Sequence, residues 1–255
     1  LEHASDLSRA ALLAGLRDPA PEAETTRFQA LLDRRAAREP LSQIIGSVGF
    51  WTLDLAVTPD VLTPRADTET VVEAALAAVA DRSAPLRMLD IATGSGAIAL
   101  ALLDELPAAC AVATDLSPAA LAVARGNAAA ASLSDRVTFL ETRWADGLDG
   151  PFDLLTCNPP YIASAVIATL EPEVRVYEPR LALDGGEDGL APYPHLFAES
   201  HRLLAPGGTA VFEIGYDQGA AAASLARAAG FDAALRRDLG GRDRALVIRA
   251  GPGSV

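Results

Sequence analysis

The sequence predicts an α/β protein built around a parallel, doubly wound sheet. From Leu86 onward, apolar runs of strand length alternate with helical segments, and this alternation is typical of parallel sheets that carry helices on both faces. Ligands of such sheets bind at the carboxyl ends of the strands. With 255 residues, the chain is long enough for one domain of this kind and a small appendage.

Residues 1–40 are predicted to form a small helical lobe, because their apolar residues recur at helical spacing. Alternating residues around several glycines predict a β-hairpin linker within residues 41–69. Residues 70–255 are predicted to form the main domain. We expect its first helix to open with a capping box, since Thr70 and Glu73 have the Ser/Thr-x-x-Glu spacing.

The main domain contains strand-like runs at 87–91, 109–114, 137–140, 153–157, 209–214 and 245–249. Helices are expected between them at 97–106, 118–130, 193–204 and 220–229. Ser117 before Pro118 predicts an N-cap followed by proline at the first helical position. Cys110 and Cys157 fall within strand-like runs, so we expect both in the core and neither in a disulfide or metal site.

The composition excludes several classes of function. A formal net charge of −13 at pH 7 disfavours tight binding to a nucleic-acid backbone. All 21 residues in the Lys-plus-Arg count are arginine, which excludes Schiff-base catalysis, a Walker-type phosphate loop and a kinase-type ATP site. The chain has neither an apolar run of about 20 residues nor an N-terminal leader pattern, and the sequence therefore predicts a soluble cytoplasmic protein.

The tetrapeptide Asn158-Pro159-Pro160-Tyr161 is the most informative motif. It directly follows a strand-like run, and its asparagine offers one carbonyl acceptor and one amide donor. The two prolines remove two N–H groups, so that the local carbonyls can only accept. Such a site suits a planar NH2 group, as in methyltransferases that alkylate a weakly nucleophilic nitrogen. A chance occurrence in a surface turn is the alternative for the motif alone.

A glycine loop follows the first strand of the main domain. Gly94 and Gly96 allow the backbone to turn tightly and to approach a ligand closely. Asp115, at the end of the next strand, can accept hydrogen bonds from both hydroxyls of a ribose. By spacing alone, the loop fits either S-adenosylmethionine or a dinucleotide such as NAD.

Two features favour S-adenosylmethionine over NAD. Asp90 lies within the strand end before the loop, where a carboxylate would repel a pyrophosphate but attract an ammonium group. No constellation for hydride transfer is evident, whereas Asn158 ends another strand on the same rim. An NAD-dependent oxidoreductase remains the alternative for the loop alone.

Further segments occur in a fixed order around these motifs: Thr63-Pro64-Arg65-Ala66-Asp67-Thr68-Glu69, Tyr177-Glu178-Pro179-Arg180-Leu181-Ala182-Leu183, Gly185-Gly186-Glu187-Asp188-Gly189-Leu190, Glu213-Ile214-Gly215 with Gln218, and Asp238-Leu239-Gly240-Gly241-Arg242-Asp243-Arg244. With the glycine loop and the tetrapeptide, they resemble the HemK/PrmC family, the protein-glutamine methyltransferases that act on peptide chain release factors. The resemblance covers about Leu41 to Ile248. It departs from the family pattern at Ala66 and Asp67, where proline and glutamate are usual.

The resemblance implies the class I S-adenosylmethionine-dependent methyltransferase fold, with a seven-stranded, mostly parallel sheet. It implies methyl transfer from S-adenosylmethionine, leaving S-adenosylhomocysteine, to the glutamine of the Gly-Gly-Gln motif in a class 1 peptide chain release factor. We expect the helical lobe, residues 1–40, to recognise this substrate by holding the rest of the factor. Family members usually have a longer helical lobe, so we expect the natural chain either to begin before Leu1 or to carry a reduced lobe.

The resemblance and the chemistry together assign the site residues. Catalysis is assigned to Asn158 and the carbonyl of Pro159, which accept the N–H groups of the substrate amide, and to Tyr161, which packs against that amide or the sulfonium. The expected cofactor contacts are Asp90, Thr93, Gly94, Gly96, Asp115, Trp144 and Asn158. The expected substrate contacts are Asn158, Pro159, Pro160, Tyr161, Arg65 and Glu69, of which the last two could equally join the linker to the domain.

Other polar residues are given mainly structural roles. Glu213 is expected to satisfy a local hydrogen bond or to contact the substrate. Glu178 and Arg180 are expected to fix a loop, and His195 to lie on a helix surface. Glu141, after the third strand, is a candidate for the acidic residue that meets the adenine amino group in the family.

Two further functions stay open from the sequence alone. A nucleic-acid methyltransferase acting on exocyclic amino groups would face the same chemical problem, although the acidic charge and the lack of a large recognition domain disfavour it. A binding protein that keeps the fold without turnover is the other, and the intact tetrapeptide disfavours it.

Overall fold

The computed structural model describes residues 1–250, and residues 251–255 of the predicted main domain lie outside the described residues. Helices occupy most of the predicted lobe: α1 (Glu2–Ser5), α2 (Arg9–Ala14) and α3 (Glu22–Ala36). A short helix then leads into an antiparallel hairpin, in the order α4 (Leu41–Ile45), β1 (Ser47–Phe50) and β2 (Leu53–Ala56). The hairpin lies within the segment for which the sequence predicts one.

The main domain begins with a helix and continues as alternating strands and helices. Its elements are α5 (Glu69–Ala78), β3 (Arg87–Ile91), α6 (Ala97–Glu105), β4 (Cys110–Asp115), α7 (Pro118–Ala130), β5 (Val137–Glu141), β6 (Phe152–Cys157), α8 (Ser164–Ile167), α9 (Pro172–Arg175), α10 (Pro192–Leu203), β7 (Leu204–Glu213), α11 (Gly219–Ala228), β8 (Phe231–Arg237) and β9 (Asp243–Ala250). Ser117 caps α7 as predicted, since its hydroxyl accepts the N–H of Ala120 at 3.2 Å.

One seven-stranded sheet forms the centre of this domain, in the order β5-β4-β3-β6-β7-β9-β8. The five strands from β5 to β7 are parallel, whereas β9 runs antiparallel to both of its neighbours. The predicted seven-stranded, mostly parallel sheet is therefore confirmed. The order reverses between β3 and β6, which is where doubly wound sheets bind their ligands.

Apolar side chains cover both faces of the sheet. Met88 of β3 packs on one face with residues of α5 and α6, and its neighbours Leu89 and Ile91 pack on the other face with residues of α10 and α11. A parallel sheet needs apolar residues on both faces because helices enclose it. The strands are therefore buried, and their polar carboxyl ends open onto one edge.

Two details of the sequence interpretation are wrong, and one strand was missed. Thr70 does not cap a helix, because a 3₁₀ turn at Ala66–Thr68 runs directly into α5 and places Thr70 inside the helix. Cys110 is exposed and not in the core, since it lies at the beginning of β4. Strand β8 was not predicted from the residue pattern, because as an edge strand it exposes much of its length, including Arg236 and Arg237.

Within residues 1–250, no helix combines the length and the apolar character that a membrane crossing requires. The same residues bring together no group of three or more side chains suited to a metal ion. The cytoplasmic location stays a prediction.

Candidate active site

A cavity of about 750 Å³ opens at the carboxyl ends of the central strands. Ile91 at the end of β3 pairs with Thr114 of β4 on one side and with Cys157 of β6 on the other. This register places the loops that follow the three strands side by side. The cavity is lined by residues 92–95, 115–117, 142–144 and Asn158 from the strand ends, and by parts of 60–68 and 179–195 from loops and α10.

The glycine loop turns as the sequence predicts. Gly94 and Gly96 have φ angles of +55° and +85°, which favour glycine because a Cβ is strained there. The N–H of Gly94 donates to Oδ2 of Asp115 at 2.9 Å, and the N–H of Ser117 donates to Oδ1 at 2.9 Å. Two backbone donors thus hold the carboxylate at the cavity wall, and its remaining lone pairs are available to ligand hydroxyls.

Asp90 lies behind the cavity wall. Its side chain is buried and outside the cavity lining, and it accepts hydrogen bonds from the hydroxyls of Thr93 at 2.5 Å and Thr156 at 2.6 Å. Burial raises the pKa of Asp90 to about 6, against the opposing effect of the two hydroxyls. The structure therefore brings Thr93 to the cavity but not Asp90, whose cofactor contact stays a prediction.

Trp144, shortly after β5, also lines the cavity. Its ring stacks on that of His195 from α10, with 6.2 Å between centroids and an interplanar angle of 15°. His195 is exposed, as expected, but it also lines the cavity. Glu141 is outside the lining, whereas Thr142 and Arg143 belong to it. Sequence reasoning missed His195, because nothing in its neighbourhood along the chain points to the site.

Asn158 and Pro160 of the tetrapeptide line the cavity, and Pro159 is buried outside the lining. The Nδ2 atom of Asn158 lies 3.4 Å from Oγ1 of Thr68, which also borders the cavity. The backbone of the tetrapeptide packs directly against the loop around Gly185, where a Cβ would approach the carbonyl oxygen of Pro160 to 2.7 Å. Only glycine permits this contact.

Tyr161 is held from outside the cavity. Its hydroxyl donates to Oε1 of Glu213 at 2.9 Å, and Nε2 of Gln218 donates to its carbonyl oxygen at 3.0 Å. Burial, followed by the charge of Glu213, raises the pKa of the Tyr161 hydroxyl. Because Tyr161 is outside the lining, its contact with a substrate stays a prediction. Glu213 satisfies a local hydrogen bond, one of its two expected roles.

Arg65 and Glu69 join the linker to its surroundings. Arg65 donates two hydrogen bonds to the buried carboxylate of Glu178, at 2.6 and 2.8 Å, and Oε1 of Glu69 accepts the N–H of Trp51 at 2.9 Å. Neither residue lines the cavity. Thr68, which lies between them, does line it. The predicted segment therefore reaches the cavity, but at Thr68 and not at Arg65 or Glu69.

The Glu178 carboxyl is buried, and an ion pair lies within the loop that follows it. Removal from water raises the pKa of Glu178, and the nearby Arg65 opposes this effect. Arg180 binds Asp184 at 2.8 Å. Both residues therefore fix the loop at 178–184, as the sequence predicts.

Comparisons with known proteins agree with this geometry. A family model described as the PrmC N-terminal domain matches residues 1–46, and one described as the methyltransferase small domain matches residues 71–172. The release factor glutamine methyltransferase of Caulobacter vibrioides is 48% identical over 252 residues, which cover 97% of this chain and 86% of the relative. The protein of the same name from Rhodospirillum rubrum is 47% identical over 247 residues, covering 95% and 75%.

A solved structure is similar in fold. The methyltransferase from Pyrococcus furiosus superimposes with a TM-score of 0.59 and covers 89% of this chain and 99% of its own, at 18% identity. At this level of identity the similarity concerns the fold alone.

Proposed function

Because this chain belongs to the family of release factor glutamine methyltransferases, we propose that it methylates the glutamine side chain in the Gly-Gly-Gln motif of a class 1 peptide chain release factor. The methyl donor in this proposal is S-adenosylmethionine. The observation that carries it is the position of the Asn158 side chain, which lines the same cavity as the glycine loop and Asp115. A cofactor and an amide substrate could therefore meet there.

The residues around the cavity fit S-adenosylmethionine. Asp115 offers free lone pairs for the ribose hydroxyls. Trp144 presents an aromatic ring for the purine, and Gly94 lets the backbone approach the ligand. When bound, S-adenosylmethionine would supply an electrophilic methyl group.

The residues of the tetrapeptide would prepare the substrate nitrogen. The lone pair of an amide nitrogen is delocalised into its carbonyl, so the nitrogen attacks only when it is held in position. Oδ1 of Asn158 and the main-chain carbonyl of Pro159 would accept its two N–H groups, and these dipoles would also stabilise the positive charge that develops on nitrogen. The proton is then lost readily to water, and no strong general base is required.

Residues 1–40 are proposed to recognise the body of the release factor. The lobe touches the segment just before the loop at 178–186, called the cavity loop below. The hydroxyl of Tyr177 donates to the carbonyl of Ala37 at 2.8 Å. A protein bound to the lobe would therefore lie near the cavity mouth. Glycines beside the target glutamine would let its loop enter the cavity without side-chain clashes.

Transfer of a labelled methyl group tests the proposal. The protein is incubated with labelled S-adenosylmethionine and, in separate reactions, purified release factor, the same factor with its Gly-Gly-Gln glutamine replaced by asparagine, tRNA and DNA. We expect label on the unaltered factor alone, and mass spectrometry should place it on that glutamine. Label on tRNA or DNA, or on another residue of the factor, would contradict the proposed substrate.

A further inference from the structure

The proposed reaction requires the Asn158 amide to face the substrate with its oxygen. A carboxamide has an acceptor on one side and two donors on the other. A half-turn of the amide exchanges them with little change in shape, so the surrounding hydrogen bonds decide which side faces the cavity. The wrong orientation would place a donor against the N–H groups of the substrate.

Thr68 is the residue that the nitrogen of Asn158 contacts. Its Oγ1 lies 3.4 Å from Nδ2, and its side chain is buried at the edge of the cavity. A hydroxyl can accept from Nδ2, but it can also donate to Oδ1 in the turned amide. Thr68 alone therefore does not select an orientation.

Glu213 can make this selection. It is 1% exposed, and its Oε1 accepts the hydroxyl of Tyr161 at 2.9 Å. Its Oε2 is buried without a hydrogen-bond partner among residues 1–250, which is costly for a carboxylate. Burial raises the pKa of the Glu213 carboxyl, and the hydroxyls of Thr68 and Tyr161 oppose this effect by favouring the ionised form. A hydrogen bond from the Thr68 hydroxyl would satisfy the free Oε2.

We propose that Glu213 and Thr68 are positioning residues that turn the Asn158 oxygen toward the substrate. An ionised carboxylate can only accept, so it takes the proton of the Thr68 hydroxyl. The Thr68 oxygen then accepts from Nδ2 of Asn158, and Oδ1 is left for the substrate amide. The inference rests on the proposed function. It also predicts that the long contact between Thr68 and Asn158 shortens in the complex with substrate.

The hydrogen bonds from Glu213 through Thr68 to Asn158 are called the relay below. Variants of Thr68 distinguish the relay from simple packing. Thr68→Val keeps the shape of the side chain without the hydroxyl, and Thr68→Ser keeps the hydroxyl without the methyl group. Both are assayed for kcat and KM with purified release factor, and for S-adenosylmethionine affinity by calorimetry. Thr70→Val is the matched control, because Thr70 is also buried at the start of α5 but takes part in neither contact.

We expect Thr68→Val to lower kcat by about 10-fold, the effect of one lost hydrogen bond, with KM and cofactor affinity nearly unchanged. Thr68→Ser should recover most of kcat, and Thr70→Val should match the wild type. Glu213→Gln keeps an acceptor for Tyr161 but can donate to Thr68, so it should lower kcat by a similar factor.

Two results would overturn the relay while leaving the proposed function intact. One is a wild-type kcat in Thr68→Val. The other is an equal loss in Thr68→Val and Thr68→Ser, which would assign the effect to packing. Absence of methyl transfer by the wild type would instead overturn the proposed function, and the relay with it.

Discussion

The two halves of the cavity are held in place by different kinds of contact. The half at the strand ends consists of the loops after β3, β4 and β6, which the parallel register of the sheet brings side by side. The other half consists of the linker near Thr68 and the loop at 178–186. This second half, called the fastened half below, is held by hydrogen bonds between residues far apart in the chain. Among them are those of Arg65 with Glu178 and of Gln218 with the carbonyl of Gly189, just after that loop.

This difference explains where sequence and structure agree. The strand-end half follows from local motifs, because a strand, a glycine turn and a carboxylate are each encoded within a few residues. The fastened half depends on pairs of residues far apart in the chain. We therefore expect changes in the first half to act on chemistry and changes in the second to act on stability and loop order.

The largest effect is expected from Asn158→Ala in the strand-end half. Loss of one pre-aimed acceptor at the reacting centre should lower the turnover of release factor methylation by about 100-fold or more. S-adenosylmethionine affinity, measured by calorimetry, should stay nearly unchanged, because Asp115 and the glycine loop are intact. Wild-type turnover in this variant would mean that the tetrapeptide is structural here.

The positions of individual residues illustrate how far prediction from sequence reached. Gly94 of the glycine loop, Asp115 and Asn158 line the cavity as expected, whereas Gly96 is buried outside the lining. In the segment before α5, by contrast, Arg65 and Glu69 were selected while Thr68 reaches the cavity. Which side of a loop faces a cavity depends on partners such as Glu178, which lies 113 positions further along the chain than Arg65, and no local pattern records it.

Asp90, in the strand-end half, should make the stability of the protein depend on pH. Its pKa is raised by burial to about 6, against about 3.9 in an unfolded chain. The folded state therefore binds this proton more tightly, and the contribution of Asp90 to stability is fully present below the unfolded pKa and lost as pH rises through about 6. Relative to Asp90→Asn, the wild type should lose about 3 kcal/mol of unfolding free energy between pH 3 and pH 7.

Denaturant unfolding of both proteins across this pH range measures that difference. Only the difference between the two curves is informative, because other carboxyl groups affect both proteins alike. Parallel curves would show that folding leaves the pKa of Asp90 unchanged. A relative loss of unfolding free energy toward low pH would show that folding lowers this pKa.

Arg65→Ala tests the fastened half. It would leave the carboxylate of Glu178, whose side chain is 0% exposed, without its two charge-assisted hydrogen bonds. We expect a loss of about 1–3 kcal/mol in unfolding free energy and faster hydrogen exchange in the loop at 178–186. Adding Glu178→Gln should recover part of the loss, because the unpaired charge is removed. An unchanged stability in Arg65→Ala would contradict this role.

The smallest effect is expected from Arg38→Ala, although the ion pairs of Arg38 are as short as that of Arg65. Arg38 reaches Glu171 at 2.5 Å and Glu173 at 2.6 Å, and its hydrogen bonds hold the pKa of Glu173 down to about 2. Its side chain is nevertheless 47% exposed. Water and salt screen such a pair, and ordering two long side chains offsets much of the gain.

Arg38→Ala and Arg65→Ala thus form a matched pair, since each removes an arginine from a glutamate in the segment at 171–178. Denaturant unfolding should resolve no change for Arg38→Ala and a clear loss for Arg65→Ala. Burial of the partner carboxylate, and not contact distance, sets the cost of removing the arginine. If Arg38→Ala proved the more destabilising, the lobe would hold the cavity loop more firmly than the linker does. The fastened half would then depend on residues 1–40 for its structure as well as for the proposed recognition of the release factor.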